Sequence, residues 1–120
     1  MINSQWICLD NPPQVISVAK TNGHITWESL SPKSNLKMVF ARATRGSEED
    51  MEFRHNFKNM CEIGFDQLGA YHYFLGGKDA PTPEKQFQTL TNILDEVRFN
   101  RRENLVAIAV QTGKFLSRCC

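Results

Sequence analysis

The sequence has no segment approaching the roughly 20 consecutive apolar residues that a membrane-spanning helix requires. Its first residues, Met1-Ile2-Asn3-Ser4-Gln5-Trp6, lack the basic and then apolar order of a secretion signal. Together these absences predict a product that stays in the cytoplasm and off the membrane. A charge excess is missing too, since 14 Lys plus Arg stand against 13 Asp plus Glu, for a formal net charge of +1. Without a basic surplus there is no general electrostatic drive toward nucleic acid or anionic lipid. The basic cluster Arg98, Arg101 and Arg102 is interleaved with Asp95, Glu96 and Glu103, so it reads as a solvated helix end whose field is cancelled locally. Cysteine is scarce and poorly spaced for chemistry. Cys8, Cys61, Cys119 and Cys120 form no CxxC pair and have no paired histidine ligands, which predicts free thiols, no metal and no cofactor. The Cys119-Cys120 end has the form of a double-cysteine prenylation signal, yet nothing else in the chain resembles a small GTPase.

What is present describes a folded domain. The chain has 120 residues, 41% of them hydrophobic and 22% charged, with no low-complexity stretch, internal repeat or linker. That length predicts one domain over residues 1–120, with 1–14 as an N-terminal extension, burying about two thirds of the unfolded surface. Short apolar runs alternate with longer helical patterns, which predicts an α/β fold built from strand-helix-strand units. Residues 15–18 form a first strand after Pro12-Pro13, residues 25–30 a short turn or helix around Trp27, and residues 36–43 a second strand. From Glu49 to Ile63 the residues Met51, Phe53, Phe57, Met60, Cys61 and Ile63 recur at helical spacing, and Gly64 supplies a stop. Residues 65–74 make a third strand. Thr82-Pro83 opens a helix with Phe87, Leu90, Ile93, Leu94 and Val97 on one face, and residues 105–110 close the series as a fourth strand. About four parallel strands with flanking helices fit either a three-layer open sheet or part of a (β/α) barrel. In both, function belongs at the C-terminal ends of the strands.

Those ends carry an ordered series of motifs: Val15-Ile16-Ser17-Val18-Ala19, Gly23-His24-Ile25-Thr26-Trp27, Val39-Phe40-Ala41-Arg42-Ala43-Thr44-Arg45-Gly46, Asp50-Met51-Glu52-Phe53 with Asn56, and Gly69-Ala70-Tyr71-His72-Tyr73-Phe74. Taken together they resemble the family 25 glycoside hydrolases, the Chalaropsis-type lysozymes, over about Val15 to Gln111. The resemblance implies a partial (β/α) barrel and a truncated lysozyme-like domain.

It also implies where the catalytic carboxylates belong. The family pattern has an Asp on the first strand where this sequence has Ser17, and an Asp before the tryptophan where it has Thr26. On the fourth strand the family's Asp-x-Glu is replaced by Ala109-Val110-Gln111. Residues two apart in a strand share a face, so Ala109 and Gln111 are expected to point together into the old catalytic mouth. Glycoside hydrolysis needs carboxyl groups there, to protonate the leaving oxygen and to stabilise an oxocarbenium-like centre. Gln111 and Ala109 do neither. Asp50, Asp79 and Glu28 are assigned to a helix start, a Gly-Gly loop and the Trp27 segment, so no carboxylate pair is expected at adjacent strand ends.

The degenerate positions Ser17, Ala109 and Gln111 therefore predict a pseudoenzyme that acts by protein binding or inhibition, of phage or mobile-element origin. A groove of Ser17, Arg42, Thr44, Tyr71, Tyr73, Phe74 and Gln111 is the candidate binding surface. A non-cleaving peptidoglycan-binding module and an active N-acetylmuramidase are the alternatives. His72 is expected to be packed or hydrogen-bonded rather than catalytic. Four strands leave two unpaired sheet edges, which predicts a homodimer or a protein partner.

Overall fold

A computed structural model describes residues 14–29 and 36–110. Gln111, the Trp6 segment, Cys8 and the Cys119-Cys120 end lie outside the described residues. Four parallel strands form the sheet, in the order β1 (Gln14–Val18), β2 (Leu36–Arg45), β4 (Gln67–Phe74) and β5 (Leu105–Val110). A two-residue strand, β3 (Glu48–Glu49), pairs antiparallel with the end of β2. Helix α1 (Phe53–Ile63) connects β3 to β4, and α2 (Pro83–Glu96) connects β4 to β5. Between β1 and β2 lie two 3₁₀ turns, Lys20–Asn22 and Trp27–Ser29.

Strand alternation sorts the side chains onto two faces. Ile16, Val18, Val39, Ala41 and Ala70 point one way and pack with Phe53, Phe57 and Met60 of α1 and with Leu90, Ile93 and Leu94 of α2. This is the core. Val15, Ser17, Phe40, Arg42, Tyr71 and Tyr73 lie toward the other face, where they line a cavity. Both helices pack on β2 and β4, so among the described residues the helices lie on one face of the sheet only. A doubly wound sheet carries helices on both faces, whereas a (β/α) barrel keeps them outside and turns the second face inward. The one-sided cover matches the partial barrel.

Local chemistry explains where the elements stop. Gly64 takes a left-handed φ of 81° and its N–H bonds the Met60 carbonyl, ending α1. Thr82 caps α2 by accepting the Lys85 N–H at 3.2 Å, with Pro83 in the first turn. A β-carbon at Gly69 would collide with the Phe40 ring and lie 2.9 Å from the Leu105 carbonyl, so only glycine lets that ring lie across the strands.

Several boundaries differ from those the sequence predicts. Gln14 belongs to β1 rather than to an N-terminal extension. The segment expected to begin a helix at Glu49 first pairs as β3, because the Asp50 N–H is taken by the Ala43 carbonyl at 2.8 Å. Helix α1 starts only at Phe53, which leaves Met51 81% exposed. On α2 the buried face runs through Gln86, Leu90, Ile93 and Leu94, so Phe87 turns outward and is 64% exposed. Gln86 displaces it because its amide saturates backbone groups that no phenyl ring could bond. The third strand begins at Gln67, and Phe65 instead packs edge-on against Trp27.

Candidate functional site on the open face

Among the described residues, the face of the sheet away from the helices borders a cavity of about 510 Å³. Its floor is Phe40 and Arg42 of β2 with Tyr71 and Tyr73 of β4, flanked by Ser17 of β1 and Ala109 of β5. Register places Arg42 beside Tyr71 and Tyr73 beside Ala109, so these groups lie at the C-terminal ends of adjacent parallel strands. Among the described residues no carboxylate lines this cavity.

A bulge in β2 organises the site. Arg42 pairs with Tyr71 and Thr44 with His72, leaving Ala43 as an extra residue. The extra residue shifts the alternation, so that Arg42 faces the cavity while Thr44, two positions on, is turned to the helix side. Thr44 is thus no groove residue: it is fully buried and its hydroxyl bonds His72 Nδ1 at 2.7 Å. Phe74 is also on the His72 side, edge-on to that ring at 6.3 Å, and does not line the cavity. Of the candidate groove residues, Ser17, Arg42, Tyr71 and Tyr73 are brought together, with Ala109 beside them.

His72 is held by hydrogen bonds inside the core. Gln86 Oε1 accepts the Leu75 N–H at 3.1 Å and lies 2.9 Å from His72 Nε2. An amide oxygen only accepts, so Nε2 carries the hydrogen and Nδ1 takes the Thr44 proton. Gln86 Nε2 donates to the Leu75 and Pro81 carbonyls at 2.8 and 2.9 Å. Every polar atom of this Thr44-His72-Gln86 chain is used, which makes it a packing device.

Arg42 is the charged group of the cavity floor, and it is not free. Its Nε donates to Asp50 Oδ2 at 2.9 Å. The same carboxylate accepts the Lys20 N–H at 3.0 Å and the Glu52 N–H at 2.8 Å. Asp50 is 2% exposed, and with three donors on it its oxygens are committed to structure. Burial pushes the Tyr71 phenol above its ordinary range, with Arg42 opposing and Asp50 and Tyr73 adding to the rise. The Arg45 guanidinium lies 5.7 Å from the Tyr73 ring centroid, a cation–π contact at the rim.

Sequence reading missed one cluster. His24, Glu52 and His55 come together outside the cavity, each offering a ligand atom within 4.8 Å of the others. The one signal for it was Glu52 three residues before His55, a spacing that shares a helix face. Cys61 lies at the surface, where partial desolvation and the neighbouring Glu62 charge raise its thiol pKa. Arg101 and Asp95 pair at 2.9 Å on the surface, as expected of a solvated helix end. No helix among the described residues is long and apolar enough to cross a membrane.

No family profile matches the chain, and no curated protein matches it by sequence. Solved structures do. The modular autolysin LytC from Streptococcus pneumoniae, in complex with a synthetic peptidoglycan ligand, is similar with a TM-score of 0.68 and 21% identity, over 85% of this chain and 23% of that one. A family 25 glycosyl hydrolase from Bacillus anthracis is similar with a TM-score of 0.55 and 32% identity, over 64% of this chain and 34% of that one. The catalytic domain of an endolysin from a bacteriophage of Listeria monocytogenes gives 0.62 and 20%, over 86% and 49%. The chain therefore has the α/β fold of the family 25 lysozyme type and spans 23% to 49% of the length of these structures.

Proposed function

We propose that this chain is a lysozyme-fold protein that binds rather than cuts, a pseudoenzyme whose open sheet face takes a protein partner. The observation that supports this reading is the composition of the cavity at the strand ends. Ser17 and Ala109 stand at positions where the resemblance calls for acids, and among the described residues no carboxylate enters the cavity. Asp50, the buried acid nearest in the fold to Arg42, is occupied by three donors. Proton donation to a glycosidic oxygen and stabilisation of an oxocarbenium centre both need a carboxyl group beside the sugar. A mainly aromatic floor with one paired cation suits a docked side chain instead.

The test is a muramidase assay on purified peptidoglycan across a broad pH range. No release of reducing sugar is expected, and restoring Ser17→Asp, Ala109→Asp and Gln111→Glu together is expected to yield no more than weak turnover. Lysis that persists through repurification overturns the reading.

A second reading keeps the glycan, and the aromatic floor favours it. Tyr71 and Tyr73 present adjacent phenols beside Arg42, a surface on which a sugar ring can stack and hydrogen-bond. The LytC structure holds a synthetic peptidoglycan ligand, which makes muropeptides the natural probe. Calorimetric titration with muropeptides should then give heat that Tyr73→Ala abolishes. No heat at millimolar ligand leaves the protein-binding reading alone.

A further inference from the structure

The turn after β1 and the start of α1 bring together three side chains able to ligate a metal. Gly23 has a φ of 76°, and its N–H bonds the Lys20 carbonyl at 2.9 Å. That left-handed step, open to glycine at no steric cost, reverses the chain ahead of His24. The His24 ring then stacks on His55 with centroids 4.0 Å apart, and its Nδ1 lies 3.0 Å from Glu52 Oε1. Asp50 steadies the partner residue by accepting the Glu52 backbone N–H.

His55 is preset as a ligand. Its Nε2 lies 3.0 Å from the Ile25 carbonyl oxygen, which can only accept, so Nε2 carries the hydrogen and Nδ1 keeps its lone pair. The contact of Nδ1 with Asn59 Nδ2 is long, at 3.4 Å, while that amide makes a better bond of 2.8 Å to the His55 carbonyl. Imidazole ligands in metal sites characteristically donate their far ring N–H to a carbonyl or carboxylate, which fixes the tautomer and the ring. Ile25 does this for His55 before any metal arrives.

We propose that His24, Glu52 and His55 form a site for a zinc-class divalent cation that clamps the turn after β1 onto α1. Two imidazoles and one carboxylate suit zinc, where calcium and magnesium prefer oxygen alone. Tetrahedral zinc with bonds of about 2.0–2.1 Å places its ligand atoms roughly 3.3 Å apart. His24 Nδ1 and Glu52 Oε1 are already 3.0 Å apart, and the ligand atoms of all three residues lie within 4.8 Å of one another, so only a small adjustment brings them onto a shared ion. Three protein ligands leave the fourth position to water or an outside donor. The His24–Glu52 hydrogen bond that the cation displaces lies at the surface and so holds little stability of its own.

Zinc chloride titrated into the full chain in a calorimeter tests this, with cobalt(II) absorption and thermal unfolding alongside. The expected result is one zinc per chain, affinity reduced at least tenfold in His24→Ala and Glu52→Gln, and a thermal midpoint raised by zinc in the native chain but not in His24→Ala. His24 is exposed, so that variant should keep its far-UV circular dichroism. The cobalt adduct should lack thiolate charge transfer, which sets it apart from cysteine binding. Absence of zinc binding, undiminished binding in both variants, or a thiolate-cobalt band lost with Cys61→Ser would each overturn the proposal.

Discussion

Arg42 and Asp50 form an ion pair closed to solvent: Nε and Oδ2 are 2.9 Å apart and the two side chains are 7% and 0% exposed. The pair joins the cavity floor to the turn after β1 and to the start of α1, because Asp50 also accepts the Lys20 and Glu52 N–H groups. Removing one partner strands the other charge in the interior. Asp50→Ala is therefore expected to cost about 3–5 kcal/mol in urea unfolding. Arg42→Met with Asp50→Leu together should cost less than Asp50→Ala alone, since no charge is then left unpaired.

Gln86 makes a second expectation sharp. Its amide bonds His72, the Leu75 N–H, and the Leu75 and Pro81 carbonyls. Gln86→Leu preserves the apolar volume but leaves those groups without partners, at a cost of about 2–3 kcal/mol. Hydrogen exchange of the Leu75 amide should accelerate with it. If Gln86→Leu is as stable as the native chain, the network is not a stabilising device.

Alkaline pH should weaken the fold through Tyr71. Burial raises its phenol pKa, so the folded state holds that proton at pH values where the unfolded chain releases it. The contribution is complete below the ordinary phenol pKa near 10 and is lost as pH rises through the higher folded value. Tyr71→Phe should reduce the alkaline decline in the urea midpoint. An unchanged decline would show that Tyr71 titrates as an ordinary phenol.

The outer face of β5 exposes Val106, Ile108 and Val110 at 44%, 55% and 59%. Among the described residues no helix covers them and no strand pairs with the free edge of β5. Such an edge beside apolar side chains favours association, most simply as a two-fold dimer. Light scattering at micromolar concentration should give a mass above one chain, and Ile108→Lys should lower it. A mass of one chain at every concentration counts against self-association.

Much of the fold was legible from local patterns. Apolar runs at 15–18, 36–43 and 105–110 mark strands because their backbone groups need a ladder and their side chains alternate between faces. Gly64 and the Thr82-Pro83 pair mark helix ends because their chemistry acts within one turn. The ordered motifs pointed to the right fold type; of the groove expected from them, Ser17, Arg42, Tyr71 and Tyr73 line one cavity, whereas Thr44 and Phe74 lie on the His72 side and Gln111 is outside the described residues.

The sequence by itself determined the main strands and both helices, since those choices depend on neighbours a few residues apart, whereas the short β3 at Glu48–Glu49 depends on its pairing with β2. Only the tertiary structure decided which side of the sheet each residue serves. The Ala43 bulge reversed the expected side of Thr44, and the partners of Gln86 turned Phe87 outward. The same holds for the two polar assemblies. Lys20 meets Asp50 across 30 residues of chain and His24 meets Glu52 across 28. No periodicity within a segment records such meetings, because they are set by how separate segments pack, by one extra residue in a strand and by the positive φ of Gly23.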